Sequence, residues 1–113
     1  MDDRQRGHLK SWLQEAASEF MAREVVVSGA LITVTRVELD KHAERAVVYF
    51  TVWPETKEAE ALKMLKTARK EFYTYAARTF TMGQRIAIDF NIDRGDKVRR
   101  HIDEILDKDR GKK

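Results

Sequence analysis

Cysteine is absent from the 113 residues of this chain. Neither a disulfide framework nor a thiolate metal site is therefore available, which suits a reducing compartment. Proline occurs once, at Pro54. The five glycines fall into no phosphate-cradling or dinucleotide-binding spacing, and no Gly-x-x-Gly nucleotide clamp is present. No apolar run approaches the roughly 18 residues of a membrane span, and the opening Met1-Asp2-Asp3-Arg4 is too polar for a signal peptide. A cytoplasmic protein with no membrane contact is expected. His8, His42 and His101 sit in separate elements, without the spacing of a metal pair, so surface histidine is the simpler reading. Nothing implies a metal or another cofactor.

What is scarcest is negative charge in one place. From Ala61 to Arg85 the chain carries Lys63, Lys66, Arg69, Lys70, Arg78 and Arg85 against a single acid, Glu71. That stretch sums to +5, whereas the whole chain is only +3, so the remainder is −2 and the basicity is local. Cations concentrated on one rigid element suit a polyphosphate, because phosphate contacts release condensed counterions and supply most sequence-independent affinity. The length predicts one domain with one core, and 42% hydrophobic content is too high for a disordered tail.

Between His8 and Met21 the residues Leu9, Trp12, Leu13, Ala16, Ala17 and Phe20 form the i, i+3, i+4 stripe of an amphipathic helix. After Ser28-Gly29, the segment Ala30 to Leu39 predicts a strand with Leu31, Thr33, Thr35, Val37 and Leu39 on one face and Ile32 and Val34 on the other. A short polar connection, Asp40 to Glu44, leads to a second strand from Arg45 to Trp53, so the two pair antiparallel. There Val48, Phe50 and Val52 oppose Val47, Tyr49 and Trp53. Pro54 ends that strand, and Thr56, with Glu58 and Glu60, is a plausible cap for a second helix.

The buried face of this second helix reads Ala61, Leu62, Leu65, Ala68, Phe72, Ala76 and Phe80, while Lys63, Lys66 and Lys70 line one flank. Arg69 would project among Leu62, Leu65 and Phe72 on a straight helix, so a bend near Ala68 to Lys70 is expected. Gly83 supplies a break. Ile86, Ile88, Phe90 and Ile92 then alternate with Ala87, Asp89 and Asn91 in a third, half-buried strand. A short last helix carries Val98, Ile102, Ile105 and Leu106 behind an Asp96 cap, and 107–113 is a charged tail.

Several side chains admit a functional or a plain reading. The lysine flank can be read as ordinary solvated surface, but a merely soluble helix mixes signs, which favours a ligand. Tyr73 beside it either stacks on a base or covers the core edge. Arg4, Arg6 and Lys10 oppose the dipole of the first helix and form either a second contact or a frayed basic terminus. Arg94, Lys97, Arg99 and Arg100 have acids close by in sequence and read as a salt-bridged surface. Asp89 and Asp93 share one strand face, as an acid–base pair would, yet no partner motif or pocket-forming surplus accompanies them. Trp12 and Trp53 read as core and core edge.

The element order, with basic residues at the expected bend, resembles the bacterial ribosome-binding factor A family. The likeness is carried by Arg4-Gln5-Arg6, the Leu31 to Leu39 strand, Ala46-Val47-Val48-Tyr49-Phe50-Thr51-Val52, Ala68-Arg69-Lys70, and Ile86 to Asp93 followed by Val98-Arg99-Arg100-His101-Ile102-Asp103-Glu104-Ile105-Leu106. It departs from the family where Lys70 replaces the glycine of an Ala-x-Gly kink, where Asp40 and His42 replace a serine and an aspartate, and where Ile86 replaces a proline.

The resemblance implies an α+β, type II KH-like domain of order α-β-β-α(kinked)-β plus a short C-terminal helix, spanning residues 4–106, its three-stranded sheet packed on helices. It also implies a monomeric, non-enzymatic ribosome biogenesis factor with no small-molecule substrate. Such a factor binds the immature 30S subunit and its 16S rRNA and assists rRNA processing at the 5′ end. The RNA-binding residues expected are Arg4, Arg6, Lys63, Lys66, Arg69, Lys70, Arg78 and Arg85. The alternative is a protein-interaction module of the same topology, using an exposed sheet face with Ile32, Val34, Val47 and Tyr49.

Overall fold

A computed structural model describes residues 2–79 and 86–95. Helix α1 spans Asp3–Glu24, longer at both ends than its apolar stripe, because Asp2 and Gln5 form a capping box. The Asp2 carboxylate accepts from the Gln5 N–H at 2.8 Å, and the Gln5 side chain accepts from the Asp2 N–H at 3.1 Å. Two of the orphan donors of the first turn are thereby satisfied. Gly29, at φ 75°, turns the chain into strand β1, Leu31–Leu39, which pairs antiparallel with β2, Arg45–Trp53. A 3₁₀ turn, Glu55–Lys57, leads into helix α2, Glu58–Thr79, and strand β3, Ala87–Ile92, joins β2 in parallel. The sheet order is β1-β2-β3, with α1 lying chiefly over β1 and α2 over β3. This is the α+β architecture expected. Gly83, Phe80, the C-terminal helix and the tail lie outside the described residues.

Three expectations need correction. Strict alternation along β1 fails at a bulge: Val34 pairs with Phe50 and Arg36 with Tyr49, leaving Thr35 as an extra residue. An inserted residue reverses the phase of a strand. Ile32 and Val34 before it, and Val37 and Leu39 after it, consequently all pack on the same core. Ile32 and Val34 are thus not on an open face, and Val47 and Tyr49 on the other side are buried, so the four residues of the interaction-module alternative form no exposed patch. Trp53 is 73% exposed rather than at the core edge, because it stands in the outward phase of the last β2 pair, opposite the equally exposed Leu31. Thr56 lies inside the 3₁₀ turn, and no side chain caps that turn.

Helix α2 is continuous through Ala68-Arg69-Lys70, and Arg69 is exposed, its long side chain carrying the guanidinium outward from the edge of the apolar face.

The core is joined by an aromatic seam. Phe72 of α2 meets Phe20 of α1 edge-to-face at 5.3 Å and Phe90 of β3 at 5.5 Å, both distances between ring centroids. All three rings are buried, with Leu13, Leu65, Val48 and Phe50 around them. At the far end of α1, the Arg6 guanidinium donates to the carbonyls of Asp40 at 3.0 Å and Leu39 at 3.3 Å, clasping the β1–β2 turn. The turn is tightened further by the Asp40 carboxylate, which accepts from the N–H groups of Glu44 and Arg45. Phe72→Ala should cost about 3–5 kcal/mol in urea unfolding, because it opens a void shared by three elements; a loss under about 1 kcal/mol would contradict the seam's role.

Candidate nucleic-acid interface

Helix α2 presents Lys63, Lys66, Arg69 and Lys70 to solvent along one flank, as the 3.6-residue repeat requires of positions three, four and seven apart. Arg78 is exposed too, but it stands seven residues beyond Glu71 and so shares that acid's line, not the line of Lys66 and Arg69. Arg4 is exposed in the first turn of α1, and Arg6 is half-buried with its guanidinium engaged by the β1–β2 turn. Arg85 lies outside the described residues. The expected set therefore divides: four cations are gathered on α2, Arg78 and Arg4 are exposed elsewhere, and Arg6 has structural partners. Tyr73 packs against the core, in keeping with the plain reading of that residue.

One participant was not visible in the charge count of the helix. Asp89 of β3 reaches the flank and accepts from Lys66 Nζ at 2.7 Å, while Arg69 Nη1 stands 3.6 Å from the same Oδ1 oxygen. The Phe90 N–H also donates to that oxygen, at 2.8 Å. Glu71 is thus not the only acid near the cations. The three side chains remain substantially exposed, at 40% for Lys66, 54% for Arg69 and 43% for Asp89, so the pairs hold geometry more than they add stability. Lys63 and Lys70 flank this cluster. In sequence the only hint was an acid on the outward phase of a strand that must pack under a basic helix.

Asp93, four residues on, belongs to a different network. Its carboxylate accepts from the Thr35 hydroxyl at 2.6 Å and the Gly95 N–H at 3.1 Å, and Arg36 Nε lies 3.5 Å away. Arg36 also pairs with Glu38 at 2.9 Å, and its guanidinium covers the Tyr49 ring at 3.7 Å from the centroid. The bulge makes this possible, since Thr35 is the extra residue that turns toward β3's end. The Thr35 hydrogen bond, then Gly95 and Arg36, hold the Asp93 carboxyl below the ordinary aspartate range, although burial pushes it the other way. A carboxyl so held is a poor general acid near neutrality, and Asp89 is occupied by cations, so the pair is not arranged for acid–base work. Arg94 is tied to Glu58 at 2.7 Å, securing the end of β3 to the start of α2. Among the described residues no cluster of His, Asp or Glu fits a metal ion, and no helix is long and apolar enough to cross a membrane.

Because the folded pKa of Asp93 is depressed, its contribution to stability is complete above the unfolded value of about 4 and is lost as pH falls through the folded value. Asp93→Asn should cost about 1 kcal/mol at neutral pH, shrinking toward zero in acid. Urea unfolding at neutral pH and below about pH 4 measures the gap, and a gap that does not narrow contradicts the assignment.

Known proteins share this fold. The family model for ribosome-binding factor A matches residues 4–106. The crystal structure of ribosome-binding factor A from Thermus thermophilus superposes with a TM-score of 0.67 at 29% identity, covering 79% of this chain and 97% of that one. A Thermotoga maritima protein solved by solution NMR gives 0.67 at 25% identity, covering 86% and 95%. A homology model of the T. thermophilus factor, fitted into a cryo-EM map of its 30S complex, gives 0.67 at 27% identity, covering 77% and 93%. No curated protein matches significantly.

Proposed function

This chain belongs to the ribosome-binding factor A family, and on that premise we propose that it binds the immature 30S subunit through backbone phosphates of 16S rRNA, docking them on the α2 flank. The observation that carries this reading is the gathering of Lys63, Lys66, Arg69 and Lys70 on one side of an unbroken helix whose opposite face is anchored in the core. Arg78 and Arg4, exposed elsewhere on the surface, and Arg85 are further contacts in this reading, and Arg6 contributes through the turn it clasps. The mechanism is binding without bond-making: one RNA conformation is favoured over its alternatives by the differential affinity of the protein for it. Assistance to 5′-end maturation of the rRNA follows as the outcome of holding that conformation, and the single unit spans residues 4–106. A cytoplasmic monomer suffices for this task, and no small-molecule substrate enters it.

The reading is supported by the 30S complex of the T. thermophilus relative and by the charge asymmetry of the chain. Removing one cation from a phosphate should weaken binding about sixfold near 0.1 M salt, from a dependence of roughly 0.7–0.9 in log K for each neutralised phosphate. The triple variant Lys63→Gln, Lys66→Gln, Lys70→Gln should therefore bind free small subunits about two orders of magnitude more weakly, with a shallower salt dependence. Its melting temperature should stay within a few degrees of the parent, since all three side chains are exposed. Co-sedimentation with purified subunits at graded salt measures this; undiminished association would remove α2 from the interface.

A further inference from the structure

Asp89 is an oddity in a surface that is otherwise cationic. Its Oδ1 oxygen stands between Lys66 and Arg69, 2.7 Å from the ammonium and 3.6 Å from the guanidinium. The oxygen is not free to swing away without loss, because the Phe90 N–H also donates to it at 2.8 Å. Phe90 is itself pinned in the core against Phe72. The carboxylate is thus presented from the rigid sheet, while its two cationic partners come from the helix.

We infer that Asp89 is a built-in competitor for phosphate, an autoinhibitory contact that occupies Lys66 and Arg69 in the free protein and lowers the affinity of the α2 flank for RNA. This rests on the function proposed above and names how that same site is regulated. Carboxylate and phosphate monoanion offer the cations the same kind of oxygen. An incoming backbone phosphate must therefore displace Asp89 or share the cations with it, and in either case the local charge available is +1 rather than +2. The exposed pairs are weak enough to be exchanged, as their exposure requires.

The strength of the effect follows from the charge that is released. Neutralising the carboxylate restores about one effective phosphate contact, which near 0.1 M salt corresponds to roughly fivefold tighter binding and a salt dependence steeper by just under one. Loss of preorganisation acts in the opposite sense, but the two cations are already about half exposed and have little order to lose.

The test compares the affinity of the full chain for purified free small subunits, at several salt concentrations, in five forms: the parent, Asp89→Asn, Lys66→Gln with Arg69→Gln, the combination of all three changes, and Glu15→Gln. Glu15 is exposed on α1, which packs chiefly over β1 at the opposite edge of the sheet, so it changes net charge equally but remotely. Asp89→Asn is expected to bind about fivefold tighter with a steeper salt dependence. That gain should vanish when Lys66 and Arg69 are already glutamines, and Glu15→Gln should not reproduce it. Unchanged or weaker binding by Asp89→Asn, while the parent binds with strong salt dependence, would overturn the autoinhibitory role and leave the proposed function standing. A gain that survives without Lys66 and Arg69, or that Glu15→Gln equals, would overturn it as a mere net-charge effect. Parent binding that is absent or insensitive to salt would sink the proposed function, and this inference with it.

Discussion

The contact of Phe72 with Phe20 and Phe90 is the constraint from which the rest of the molecule takes its geometry. One ring from each of α1, α2 and β3 meets in the core, so the helices can neither slide nor rotate on the sheet without opening a cavity. Rotation of α2 is what decides the surface. With Phe72, Leu65, Ala61 and Ala76 turned inward, the lysines at 63, 66 and 70 must face water. On β3, the same anchoring turns Phe90 inward, which leaves Asp89 in the outward phase and within reach of Lys66. The basic flank and its acid partner are thus both consequences of one apolar junction.

The bulge at Thr35 has a comparable reach on the other side of the sheet. It keeps β1 apolar toward the core at both ends and turns one hydroxyl toward Asp93. Around that point Arg36 pairs with Glu38 and Asp93 and lies over the Tyr49 ring. The buried Tyr49 ring is therefore no part of an exposed apolar patch, and the interface proposed for the protein is the electrostatic one on α2. A surface of exposed cations binds by releasing counterions, which is quick to form and quick to reverse as ionic conditions or competing anions change.

Asp93 and Asp89 differ only in what surrounds them. Asp89 stands on β3 and Asp93 directly past its end, yet Asp93 is enclosed by a hydroxyl, a backbone donor and an arginine, whereas Asp89 sits at an exposed meeting of helix and sheet. The first is a structural anion that secures the end of β3 to the bulge. The second borders the surface proposed for RNA, and its two partners, Lys66 and Arg69, belong to that surface. Identical side chains acquire unlike roles because burial and neighbours, not residue type, set what a carboxylate does.

Periodicity located the two described helices and β3, since the i, i+3, i+4 stripes and the alternation of β3 follow from backbone geometry that is local. Charge counting likewise located the basic helix, because the excess of lysine and arginine between Ala61 and Arg85 is a property of the chain itself. Non-local contacts decided the remainder. Whether β1 would bulge depended on its register with β2, and whether Arg69 would be buried or exposed depended on where α2 lies over β3. That Arg6 serves a turn 34 residues away, and that Asp89 answers Lys66 across 23 residues, are facts of packing. Side chains distant in sequence are brought together only by burial of the core, and no local pattern encodes which acid will meet which base.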